Sequence, residues 1–171
     1  DAPLMVADAE HLPFAADKVV ADINIDILAL SGPSRSVTSI GYGQSDMDDY
    51  LMAAAKEQSR TVVPDDKPEK GFFFRSDHIN FARVGIPALY ASSGMDLVDG
   101  GEAVGHKTAD DYTSNRYHKP SDNYDPNWDF RGAVQDMDLL LAIGRRLANE
   151  STFPQWKAGA DFSRPAPAQS R

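Results

Sequence analysis

A chain of 171 residues holds one domain's worth of polypeptide, and a content of 42% hydrophobic with 25% charged residues excludes wholesale disorder and fibrous repeats. Lys and Arg number 17 against 26 Asp and Glu, so the net charge of −9 excludes a general binder of nucleic-acid backbone, and no apolar run reaches the roughly 18 residues of a membrane helix. The absence of Cys removes disulfides and thiolate chemistry, and any metal must rest on His and carboxylates.

The start, Asp1-Ala2-Pro3-Leu4, has neither Met nor the basic-then-apolar signature of a signal peptide, and reads as a processed or truncated end. The richest strand pattern spans residues 19–30, where the polar Asp22, Asn24 and Asp26 alternate onto one face. A Gly32-Pro33 turn leads to a second strand over 36–42. Ser45 followed by Asp48 predicts a capping box opening a helix over about 45–59. A short strand at 61–63 ends at Pro64, and a charged loop, 65–70, follows. The spacing then predicts a short helix over 78–84 and a buried strand over 86–90, which together suggest an α/β layer fold. Residues 94–128 read as a long polar loop with few periodic features, of the kind that serves a function. The last strong element is a helix over 131–149 with Val134, Met137, Leu140, Leu141, Leu147 and Ala148 as its apolar face. Two segments result: 1–150 as the folded portion, and 151–171 as an extended, partly frayed tail containing Pro.

Three local patterns carry chemistry: Asn24-Ile25-Asp26, Arg75-Ser76-Asp77-His78, and Tyr117-His118 with Asp122. Functional groups of α/β sheets collect at the carboxyl ends of strands. A carboxylate on so apolar a strand must be capped, paired, hydrogen-bonded or metal-bound, and all four readings of Asp26 stay open. His118 reads as a surface hydrogen-bonding residue or as a ligand whose second N–H Asp122 accepts. Tyr117 reads as packing or as a phenolic donor to an oxyanion. Ser76 or Asp77 serves as an N-cap for the short helix.

In order and spacing, these pieces, with Gly71, Phe81, Gly85-Ile86-Pro87-Ala88 and Lys119-Pro120-Ser121, resemble the zinc-dependent aminopeptidase and carboxypeptidase family M28, over residues 19–149. The resemblance implies a zinc-exopeptidase-like three-layer architecture, a mixed β-sheet flanked by helices, and a pair of zinc ions whose water attacks a terminal peptide bond. By that resemblance Asp26 and His118 are ligands to different zinc ions, Tyr117 bonds the oxyanion, Arg75 lines the substrate pocket and Asp122 supports the site from behind. Members of that family supply a His-x-Asp pair and a Glu-Glu pair upstream of the Asp26 strand. Neither occurs here before Val19, and the adjacent Glu10 and His11 are not promoted to ligands.

The chain is therefore expected to be an incomplete portion of the domain, the C-terminal part, inactive alone. Its expected partners are a peptide substrate and either the missing N-terminal half or a second copy, through an unpaired strand edge and exposed apolar surface. The alternative is a non-catalytic peptide-binding or interaction domain of the same fold. An unrelated hydrolase using His78 or His118 as base lacks the Gly-x-Ser-x-Gly elbow. The resemblance favours a periplasmic or secreted location, with the cytoplasm compatible.

Overall fold

The computed structural model describes residues 15–164, so Glu10, His11 and the end of the tail lie outside the described residues. Four strands, β1 (Asp22–Asn24), β2 (Ser36–Ile40), β3 (Thr61–Pro64) and β4 (Ala88–Ser93), form one sheet in the order β1-β4-β2-β3. β1 pairs with β4 in parallel, as β2 does with β3, while β2 and β4 run antiparallel. The α/β expectation of a mixed sheet flanked by helices therefore holds.

Strand alternation assigns the two faces. Ile23, Val37 and Leu89 share one face and pack with Val62 and Ala91 against α1 (Met47–Glu57) and α4 (Arg131–Asn149). Met47, Leu51, Ala55, Leu139 and Ile143 complete that core, each essentially sealed from solvent. The opposite face carries Asp22, Asn24, Ile40 and Tyr90, and α2 (His78–Arg83) covers its β1–β4 half.

Several predicted elements differ. The 19–30 strand is cut to three residues because the chain leaves β4 after Asn24 and crosses to the start of α4, where Asp129 donates its N–H to the Leu30 carbonyl. Ile25 and Ile27 are consequently half exposed. The capping box does not form: Ser45 Oγ accepts the N–H of Met47 at 3.2 Å. The Asp48 carboxylate instead turns back to accept Ser39 Oγ–H at 2.9 Å and Gly43 N–H at 2.7 Å. The polar stretch 94–128 is no plain loop, since α3 (Gly101–Asn115) occupies its centre. That helix buries only Gly105, so it has no apolar stripe for periodicity to detect, and a Lys107–Asp111 pair spans one turn of it. On α4, Leu140 and Leu147 face the core as expected, but Val134, Met137, Leu141 and Ala148 face solvent, and Ala133, Leu139 and Ile143 complete the buried side.

Residues 151–164 run back across the molecule. Asp46 N–H donates to the Gln155 carbonyl, Lys157 N–H to the Gln44 carbonyl, and Trp156 Nε1–H to the Gly85 carbonyl at 3.0 Å. No described helix is long and apolar enough to cross a membrane.

Candidate active site

The site forms where the face carrying Asn24 and Tyr90 meets the turn before α2. Asn24 is buried, and its side-chain amide donates to Ser76 Oγ at 2.8 Å. The Ser76 hydroxyl in turn donates to Asp26 Oδ2 at 2.7 Å, so one serine fixes the orientation of the carboxylate from a different element. This is the Ser76 that the sequence reads as a helix cap. Here its carbonyl accepts the Ile79 N–H, its hydroxyl is spent on Asp26, and Asp77 makes no side-chain capping bond.

Tyr90 sits on β4 opposite Asn24 on one side and Ile40 on the other. Burial pushes its phenol up to about 12, with Asp26 and Tyr117 adding to the effect, so it is a neutral donor at ordinary pH. His78 is fully buried, with its ring 5.0 Å from that of Tyr90 and 4.7 Å, edge-on, from Phe73. Burial lowers its pKa against smaller opposing pulls from the Phe73 backbone, Asp26 and Asp77, and neither ring nitrogen has a well-formed hydrogen bond among the described residues. An imidazole in such surroundings stays neutral. Deeper on the same face, burial, with Asp77 adding, raises Asp22 to about 6, and its Oδ2 finds no partner among the described residues.

The Tyr117-His118 turn follows α3. Its backbone is tightened by Tyr117 N–H to the Tyr112 carbonyl and Lys119 N–H to the Arg116 carbonyl. His118 takes a φ of +56°, an uncommon conformation for any residue but glycine, and one that collects at functional sites. Its ring stacks on Tyr117 at 3.9 Å, and both side chains are exposed. Asp122 accepts the Tyr112 hydroxyl at 2.9 Å, so in this structure it braces α3. Arg75 is exposed, with its guanidinium 6.0 Å from the Phe72 ring and no ion pair among the described residues.

The structure thus gathers Asp26 with Ser76 and Asn24 by hydrogen bonds and sets Tyr90 opposite Asn24 on the neighbouring strand, while His118 stacks on Tyr117 in the turn after α3. Sequence reasoning missed Tyr90 and the bridging role of Ser76. The signals were a tyrosine ending a buried strand, and the serine beside Asp77-His78.

A catalytic zinc takes three protein ligands and keeps a position for water. Among the described residues no group of three His, Asp or Glu side chains can hold a metal, so Asp26 and His118 do not constitute a zinc site by themselves. No step is derived through a metal.

A mixed sheet flanked by helices, with a carboxylate just past the end of β1 oriented by a serine from another element and a buried tyrosine on the neighbouring strand β4, defines an α/β protein with a polar site on one face of its sheet. The chain belongs to peptidase family M28, whose family model matches residues 5–142. That membership supports peptidase activity, in a family that is generally metal-dependent. No curated protein and no solved structure matches the chain.

Proposed function

We propose that this M28 peptidase chain forms part of an exopeptidase site, aminopeptidase in type and zinc-dependent, that removes terminal residues from peptides. The observation that supports the reading is the Asn24–Ser76–Asp26 chain of hydrogen bonds, which holds one carboxylate in a fixed direction at a strand end. Nothing in the packing of the sheet requires an exposed carboxylate to be held so. Arg75 and Tyr117 are the groups offered to substrate, and both residues are exposed. The two donors Asp26 and His118 fall short of a zinc site, so the remaining donors are placed outside residues 15–164, and the chain by itself is proposed to hydrolyse nothing.

A second reading, a peptide-binding domain without catalysis, draws on the same shortfall of donors. One comparison separates the two. Hydrolysis of leucine p-nitroanilide is measured for this chain and for the complete reading frame that contains it. The exopeptidase reading expects activity from the complete protein only, abolished by a chelator and by Asp26→Asn. Activity of the chain alone sinks the incomplete-site reading, and inactivity of both favours the binding domain.

A further inference from the structure

Beside the Asp26–Tyr90 site a concavity of about 300 Å³ opens at the carboxyl ends of β2 and β3, at the lower end of the range for small-ligand sites. Ile40, Tyr42, Phe73 and Phe74 give it apolar and aromatic walls, and Asp65 and Asp161 give it two carboxylates. The cavity adjoins the site through shared groups: Phe73 lies edge-on to His78, and Asp65 adds to the upward push on the Tyr90 phenol.

The Asp65 carboxylate is held by a backbone bond and Asp161 is held through its main chain, and neither is paired with a cation among the described residues. Asp65 accepts the Lys67 N–H at 2.9 Å, a backbone bond that carries no charge. Asp161 comes from the segment after α4, where its own N–H donates to Gln44 Oε1 at 3.2 Å. Phe162 beside it anchors the segment, its ring 6.0 Å from Phe73 and 5.2 Å from Trp156. Neither Asp65 nor Asp161 forms an ion pair among the described residues, and no Lys or Arg lines the cavity.

Aromatic walls with two carboxylates and no cation select one kind of side chain. Lys and Arg carry an apolar stem below a cationic head, and that head is attracted both to carboxylates and to aromatic faces. An acidic side chain would meet two like charges on a protein already at −9. We infer that this cavity is the side-chain subsite of the proposed exopeptidase and takes a basic residue, Lys or Arg, at the cleaved end of the peptide. The inference rests on the exopeptidase reading for the position of that end, and makes Asp161, beyond the last helix, a specificity residue.

The test titrates the purified chain with L-arginine amide and with L-norleucine amide, which keeps an unbranched apolar stem without the cationic head, at low salt. Arginine amide should bind about tenfold more tightly, a preference of the size expected from carboxylate and aromatic contacts in a partly open site. Asp161→Asn should reduce that preference and the Asp65→Asn/Asp161→Asn pair should abolish it, with norleucine amide affinity unchanged. Because the Asp161 carboxylate accepts no hydrogen bond among the described residues, the substitution should leave the circular dichroism spectrum intact. Equal affinities in the wild type, no binding of arginine amide, or a preference that survives in the double variant would overturn the inference. Hydrolysis by the complete protein is a separate readout. Arginine amide binding without any hydrolysis defeats the exopeptidase reading and leaves a basic-group site. Hydrolysis that favours leucine over arginine p-nitroanilide defeats the subsite and leaves the peptidase.

Discussion

The Ser76 hydroxyl donates to the Asp26 carboxylate across 50 residues of chain while accepting from the buried Asn24 amide, so one oxygen couples the turn before α2 to both ends of the strand's polar tip. Ser76→Ala should therefore cost stability as well as function. It leaves the Asn24 amide without its acceptor, a loss of about 1–3 kcal/mol for a buried donor. Ser76→Thr keeps the hydroxyl and should recover much of that loss. Urea denaturation of both variants checks the point, and an alanine variant as stable as wild type would show that the bond chain is not formed.

Asp22 and His78 give stability opposite dependences on pH. Asp22 holds its proton more tightly when folded, at about 6 against 3.8, because burial leads and Asp77 adds to it. The native state then binds more protons than the unfolded state between those values, and stability falls as pH rises through them, by at most about 3 kcal/mol at neutrality. His78 is shifted downward by burial, so the unfolded state takes up its proton first and stability is lost as pH falls below 6.5. Asp22→Asn should be more stable than wild type at pH 7, close to it at pH 3.5, and should lose stability steadily on acidification. Parallel curves for the two proteins would refute the assignment to Asp22.

What the sequence discloses here follows from how each element earns its burial. α4 was legible to its ends because one side of it is buried against the sheet, yet its apolar positions outnumber those the core uses, so periodicity alone put Val134, Met137 and Leu141 on the wrong side. α3 was illegible because it lies at the surface and buries only Gly105. Within the site, Asp26 stood out as a charge on an apolar strand, and His118 beside Tyr117 as part of a spaced motif. The bridging Ser76, the buried His78 beside Tyr90, and Asp161 at the cavity depend on contacts between residues far apart in the chain, which no local pattern encodes.

Arg60 lies buried behind β2, paired with Asp136 of α4 at 2.7 Å, with its Nη2 donating to the Ser36 carbonyl at 2.8 Å. Burial raises the Asp136 carboxyl despite the attraction of Arg60, so the pair is costly to split. Arg60→Met should destabilise by about 3–5 kcal/mol, because it strands a buried carboxylate. Adding Asp136→Leu should restore part of the loss. A double-mutant cycle in urea reads the coupling, and strictly additive losses would count against the pair.

The exposed side of α4 leads to a prediction about assembly. Val134, Met137 and Leu141 recur at helical spacing and are 58%, 45% and 54% exposed, far from the occasional apolar residue any surface carries. Among the described residues β1 stands at the end of the sheet with one edge unpaired, and Ile23 on it lies beside Gly144 of the same helix, so strand edge and apolar stripe form one neighbouring surface. An open strand edge beside apolar side chains is a template for pairing with another chain. The isolated chain should therefore self-associate, with a sedimentation coefficient that rises with concentration in sedimentation velocity. Leu141→Glu, which places a charge on an already solvated position, should shift it to monomer with an unchanged circular dichroism spectrum. A wild-type chain that stays monomeric, or a variant that associates equally, would mean that this surface does not drive assembly between copies.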